Sequence, residues 1–325
     1  MPLATRLTET LGIRHPVLLA PMGSIAGGRL AAAVSAAGGF GLIGAGYGDA
    51  EWLEREFTAA GNHRVGCGFI TWSLARRPEL LAQVLGHGPA AVMLSFGDPK
   101  PFAPAIKAAG AKLICQVQTL AHVDDALAAG AEIIVAQGSE AGGHGSVRST
   151  LPLVPQVVDR VRRRAPKAMV VAAGGIGDGR GLAAALMLGA EGVLVGTRFY
   201  ASEESLGRPQ AKARMIEATG EETIRTSVFD TVRGIAWPKE FTGRALDNDF
   251  TRRWHGAEAE LSVAAAGESA RYHAAVAVGD FSTAVIFAGE AMGLFDRVLP
   301  AGDIVASMVA EAEAALRSGA QRIAG

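Results

Sequence analysis

Residues 169–198 read MVVAAGGIGDGRGLAAALMLGAEGVLVGTR. An apolar run, Met169–Ala173, gives way to Gly174-Gly175-Ile176-Gly177. An alanine- and leucine-rich segment, Gly179–Leu188, follows and stops at Gly189, and a second apolar run, Gly192–Val195, ends on Gly196-Thr197. A short apolar run, a turn, a helical period, a turn and another short run make one strand–helix–strand unit. Two strands joined through a helix run parallel, so the stretch predicts a parallel sheet.

The same grammar extends back toward the N-terminus. Strands are expected at Val17–Ala20, Phe40–Ile43, Val65–Phe69, Ala91–Leu94, Leu113–Val117 and Ile133–Gln137, which with the two above make eight. Amphipathic helical spacing fills the seven gaps: Arg29–Ala37, Ala50–Ala60, Glu79–Leu85, Pro101–Ala109, Ala121–Ala129, Val154–Arg164 and Gly179–Leu188. Gly38, Gly110, Gly130 and Gly189 stand where a helix ends in the left-handed conformation. Eight strands with intervening helices predict an α/β (β/α)₈ TIM barrel, with an open doubly wound sheet as the runner-up.

After Val195 the pattern changes. Residues about 199–294 are more polar, carry charged and aromatic clusters around Trp237, Trp254 and Tyr272, and show no further strand–helix unit. They are expected to form a mostly helical insertion covering the substrate. Gly302–Ser318 then reads as an amphipathic helix that packs back on the barrel. The barrel is therefore expected to comprise residues 1–198 with about 295–325.

Composition narrows the function. With 49% hydrophobic and 19% charged residues, the 325-residue chain can bury one large core, which excludes disorder for most of it. A net charge of -1 gives no general attraction to nucleic acid or to an anionic membrane, so small-molecule chemistry is the default. Cys67 and Cys115 each sit in an apolar run, far apart, and read as buried hydrophobes. Neither they nor the histidines have metal-ligand spacing, so no metal is expected. The N-terminus lacks the apolar core of a signal peptide, and no apolar stretch reaches the roughly 18 residues of a membrane span. A cytoplasmic protein is expected.

Four loops fall at the C-terminal ends of strands, the face where barrels carry their chemistry. Gly174-Gly175-Ile176-Gly177 and Gly196-Thr197, after strands seven and eight, form the common phosphate site of such barrels. Bare backbone lets N–H groups approach phosphate oxygens there, and Thr197 adds a hydroxyl. Asp178, next to the first of these loops, suits a helix start. Gln137-Gly138-Ser139-Glu140-Ala141-Gly142-Gly143-His144, after strand six, can lay glycine backbone against a flat cofactor. It presents one imidazole, suited to proton transfer near neutrality. Pro21-Met22-Gly23, after strand one, offers backbone and a polarizable thioether to an aromatic ring. His15, His63, His87 and His122 read as capping or solvated, and His255 and His273, in the insertion, could line a pocket but read as structural or surface residues.

Together, these loops resemble the nitronate monooxygenase (2-nitropropane dioxygenase) family in order and spacing. The segment Phe287-Ala288-Gly289-Glu290-Ala291-Met292-Gly293 is similar to that family's return from its second domain. The resemblance implies FMN. Its phosphate would lie on Gly174, Gly175, Gly196 and Thr197, and its ring near Met22, Gly23, Gln116 and the Ala141, Gly142, Gly143 backbone, with His144 as the catalytic histidine. It also implies a small-molecule substrate and O2, with an alkyl nitronate oxidised to a carbonyl compound and nitrite. Where many relatives read Gly-Val-Asn-Leu in strand three, this chain reads Gly66-Cys67-Gly68-Phe69. Two other readings stay open: an NAD(P)H-dependent quinone or enoyl-thioester reductase on the same scaffold, and a flavin-free lyase or isomerase that places a substrate phosphate in the glycine loops.

Overall fold

The computed structural model describes residues 3–324; Met1, Pro2 and Gly325, included in the terminal boundaries read above, lie outside the described residues. In chain order the strands are β1 (Val17–Leu19), β2 (Gly41–Gly44), β3 (Val65–Ile70), β4 (Ala91–Ser95), β5 (Lys112–Val117), β6 (Ile133–Gln137), β7 (Gly143–Gly145), β8 (Met169–Ala173), β9 (Val193–Val195), β10 (Thr223–Thr226) and β11 (Thr242–Leu246). Eight of them form one parallel sheet in the order β1-β9-β8-β6-β5-β4-β3-β2. Its ends meet: Leu18 bridges Phe40 in parallel, and Leu19 N–H donates to the Phe40 carbonyl at 2.9 Å. The sheet is a closed barrel, as the eight apolar runs predict.

Alternation divides each strand between two cores. Leu18, Leu42, Met93, Ile114, Val135, Val171 and Leu194 fill the barrel interior. Their neighbours Val17, Leu19, Ile43, Val92, Leu113, Ile134 and Val193 pack outward under the helices. The helix Arg6–Leu11, which periodicity alone did not announce, plugs the bottom with Leu7 and Leu11, both fully buried in the interior cluster. At the top the inward positions become small or polar: Gly44, Gly68, Gln116, Gln137 and Ala173 continue the interior rows. The barrel is thus packed shut below and open to polar chemistry above.

The closing helix Ala301–Ala324 packs on the helix Gly179–Met187. Contact is close because Gly179 lacks a side chain; a Cβ there would stand 2.3 Å from the Met308 carbonyl oxygen.

Between β9 and this helix the chain makes an excursion whose regular structure is more helix than strand, including the helix Glu258–Val278, with irregular chain making up the remainder. It also contributes β10 and β11, whose few alternating residues gave no strand signal. These two join β7 in an antiparallel sheet of order β10-β11-β7. The excursion has its own core of Val228, Phe229, Val232, Phe250, Trp254, Leu261 and Tyr272. Among the described residues, no helix is long and apolar enough to cross a membrane, and no cluster of three or more His, Cys, Asp or Glu side chains could hold a metal. Both cysteines are free and buried.

Candidate active site at the barrel mouth

The loop after β6 is not free glycine coil. Gly143, His144 and Gly145 form β7, with His144 opposite Gly243 of β11, so the excursion holds the histidine in register. Gln137, the last residue of β6, donates from Nε2 to the His144 carbonyl at 3.1 Å. Its Oε1 accepts from Gln116 Nε2 at 3.0 Å and Gln118 Nε2 at 2.8 Å. A chain of carboxamides therefore links β5 to the histidine's backbone. Arg225 of β10 reinforces it by donating to the Gly145 carbonyl at 2.9 Å and the Ser139 carbonyl at 3.1 Å. Burial first, and then the neighbouring Arg244 charge, push the Arg225 guanidinium down to about 10.

His144 is 8% exposed. Its Nε2 lies 2.8 Å and 3.0 Å from the two carboxylate oxygens of Asp230, itself 5% exposed. A carboxylate only accepts, so Nε2 carries the proton and Nδ1 the lone pair of the neutral ring. The Trp237 ring stacks on the imidazole at 3.5 Å between centroids and 6° between planes, and Phe287 packs at 5.4 Å. The indole N–H of Trp237 donates to Tyr47 Oη at 2.9 Å. Arg233 lies over the Tyr47 and Phe287 rings, 4.0 Å from the Asp230 carboxylate; its buried Nη1 has no hydrogen-bond partner.

Burial lowers the His144 pKa below its usual 6.5. The hydrogen bond and charge of Asp230 oppose that shift, and Arg233 and Arg225 add to it. The resting imidazole is therefore neutral near pH 7 and able to take a proton.

The other residues singled out in the sequence gather on the same face in two groups. Gly174 and Gly175 follow β8 with φ of 104° and 72°, conformations that a side chain would strain. Gly196 follows β9; a Cβ there would meet only Ala20 Cβ and Met22 Sδ, both at 3.5 Å, so Met22 borders Gly196 with room between them. Thr197 Oγ1 accepts from Gly289 N–H at 3.0 Å, which leaves its own proton free to donate elsewhere. Gly23 packs against Gly46, and Gly143, with φ of 72°, faces open space.

Gly142 is bare for a packing reason that the sequence did not show. A Cβ on it would stand 2.6 Å from the Ala288 and Gly289 backbone, while Ala141 N–H bonds back to the Gly138 carbonyl. Glu140, one residue earlier, accepts from Thr150 N–H and Oγ1–H and anchors this loop beside β8. Asp178 caps the Gly179–Met187 helix as expected, accepting from Arg180 and Gly181 N–H. His122, expected to be capping or solvated, is half-buried at the start of its helix, where its Nδ1 accepts from Gln118 N–H at 3.4 Å, and it lies beside Phe241.

Asp230, Arg233 and Tyr47 were not singled out from the sequence. They are scattered single residues brought together only by the fold, and the one local hint was the aromatic and charged clustering around Trp237.

A closed βα barrel whose polar mouth holds an imidazole–carboxylate pair beside side-chain-free turns is the architecture of a barrel enzyme, here of the oxidoreductase type. The nitronate monooxygenase family model matches residues 4–62 and 73–311, and the chain belongs to that family. It is 33% identical to the nitronate monooxygenase of Neurospora crassa, over 92% of this chain and 90% of that protein. Its fold is similar to that of FabK from Thermotoga maritima, with a TM-score of 0.86, 30% identity and coverage of 98% and 99% of the two chains. It is likewise similar to nitroalkane oxidase from Streptomyces ansochromogenes, with a TM-score of 0.82, 27% identity and coverage of 97% and 99%.

Proposed function

We propose that this chain is an FMN-dependent enzyme that oxidises alkyl nitronates with O2 to a carbonyl compound and nitrite. The observation that carries the reading is the buried His144, held neutral, oriented by Asp230 and placed at the barrel mouth. FMN fits the residues beside it. Gly196 presents bare backbone between Ala20 and Met22, Gly174 and Gly175 hold backbone conformations that suit bare N–H groups, and Thr197 keeps a hydroxyl proton to donate. Gly174, Gly175, Gly196 and Thr197 would hold the phosphate; Met22, Gly23, Gln116 and the Ala141, Gly142, Gly143 backbone would border the ring. When bound, the flavin supplies the electron transfer that side chains cannot perform.

The protein's own residues supply the rest. His144 Nδ1, with Asp230 fixing the proton on Nε2, takes the α-proton of a neutral nitroalkane. Arg233 is a permanent cation with an unpaired N–H next to this pair, suited to the oxygens of a nitronate anion. Trp237 and Phe287 pack on the imidazole, with Tyr47 holding the Trp237 indole, and exclude water from it. Functionally the chain divides into a cofactor-holding barrel, residues 1–198 with about 295–325, and a substrate-covering unit, about 199–294, with a small molecule and O2 as its partners and the cytoplasm as its compartment.

The test is chromatography of the heat-released cofactor, followed by anaerobic mixing with nitronates, nitroalkanes and NADH. FMN that is reduced by nitronate supports the proposal. Release of FAD alone, or of no flavin, overturns the cofactor assignment. Rapid bleaching by NADH with nitronates inert moves the chain to the reductases.

A further inference from the structure

Beside the histidine lies a second feature that the nitronate chemistry does not use. A cavity of about 370 Å³ opens at the ends of β4 and β5, walled by Trp72, Phe96, Pro238 and Phe241, with Gln116 and Gln118 along its barrel side. Phe96 meets Phe241 edge-on at 5.1 Å and Trp237 edge-on at 5.1 Å, while Trp72 meets Trp237 edge-on at 5.3 Å. The aromatic wall is thus continuous with the ring stacked on His144. Phe96 holds φ at 64°, a left-handed conformation that is costly for a bulky residue and uncommon outside glycine and asparagine. That strained backbone is what turns the ring toward Trp237 and Phe241, and such strain persists where the surrounding structure requires the side chain in that place.

The inner lining carries no fixed charge. Gln116 and Gln118 each spend one N–H donor on Gln137. Burial also lowers the pKa of His122, which lies next to Gln118. Charges stand only at the exposed opening, where Asp98, Asp125 and Glu240 outnumber Lys100, itself paired with Asp125 at 2.8 Å. A cavity with aromatic walls, an uncharged lining and an acidic entrance admits a neutral ring and repels a phosphorylated carrier.

We propose that this cavity binds the uncharged ring, aryl or alicyclic, of the substrate, so that the enzyme prefers ring-bearing substrates to open-chain ones. The inference builds on the proposed reaction at His144, because Gln116 borders both places, but its test needs no turnover. Calorimetric titration of the purified protein with cyclohexanone, acetophenone and 2-hexanone compares ring with chain. The ring ketones bind at least about tenfold more tightly, and Phe241→Leu and Trp72→Leu each weaken ring binding about tenfold with flavin content and Tm retained. Coenzyme A, as a polyphosphate probe, does not displace the ring ketone. Equal affinity for ring and chain overturns the proposal, as does ring binding undiminished in a folded variant, or displacement by coenzyme A. Failure of nitronate oxidation with ring binding intact counts against the reaction and not against the cavity.

Discussion

Replacing Asp230 by Asn keeps the shape of the side chain and removes its charge, so it isolates what the carboxylate does for His144. Both carboxylate oxygens lie within 3.0 Å of Nε2 in a buried pair. A hydrogen bond to a charged group contributes about 1.5–3 kcal/mol. At about 1.36 kcal/mol per decade of rate, its loss lowers kcat/KM for a neutral nitroalkane by roughly 10- to 150-fold. The pH profile moves as well. Burial lowers the His144 pKa and Asp230 partly restores it, so the variant imidazole keeps its lone pair to still lower pH. A base must be neutral to act, hence the acid-side fall in rate, already below pH 6.5 in the parent, shifts further toward acid in Asp230→Asn. Oxygen uptake across the acid and neutral range, with nitroalkane and with preformed nitronate, reads both effects. The nitronate has no α-proton to lose and is affected less. Parental turnover with an unmoved acid limb would refute the pairing argument, and a rate loss without the shift would reduce Asp230 to a structural role.

Three further outcomes follow from the same contacts. Gly196→Ala adds a Cβ that meets its protein neighbours at ordinary contact distance, so Tm stays near the parental value while FMN affinity falls; undiminished affinity in a titration of the apoprotein places the phosphate elsewhere. His15, His122 and His144 all sit below 6.5, mainly through burial, so the unfolded chain takes up protons first as pH drops, and the stability of the fold declines below about pH 6.5. A urea midpoint that is the same at pH 5 and 7.5, two values about a unit or more either side of the free imidazole, contradicts this. Burial pushes the Cys115 thiol up to about 12 and the Cys67 thiol higher still, so neither reacts with a disulfide reagent until the protein unfolds; prompt labelling of the native protein rules that out.

The barrel was legible because its signals are local. Ile133–Gln137 and Met169–Ala173 coincide with β6 and β8, and the helix-ending glycines at 38, 110, 130 and 189 adopt positive φ as their positions demand. Apolar period and terminal glycine act within a few residues of themselves, so a single sequence carries them. The four site loops were legible for the same reason, since each follows its own strand. Residues that complete the site from elsewhere had no such signal. Asp230 lies 86 positions from the imidazole it binds, on a short helix whose only pattern is its own core of Val228, Phe229 and Val232. Tyr47 comes from the loop after β2, and Phe96 gave no sign that it would occupy a left-handed conformation.

The excursion also cannot be treated as a detachable cover. β7 contains the histidine and pairs with β11, so one strand of the second sheet is the barrel's own loop after β6. Gly142 and Gly289 press backbone to backbone, Gly289 N–H donates to Thr197, and Glu290 N–H donates to the Glu140 carbonyl at 2.9 Å. The returning segment therefore touches the loops after β6 and β9 at once. Those are the loops proposed to carry the base and the phosphate. A change in the excursion can alter the imidazole through Asp230, Arg233 or Trp237 while every barrel strand stays as it is. Residues Asp230 to Phe241 therefore join the proposed base, His144, to the aromatic wall proposed to receive the substrate's ring.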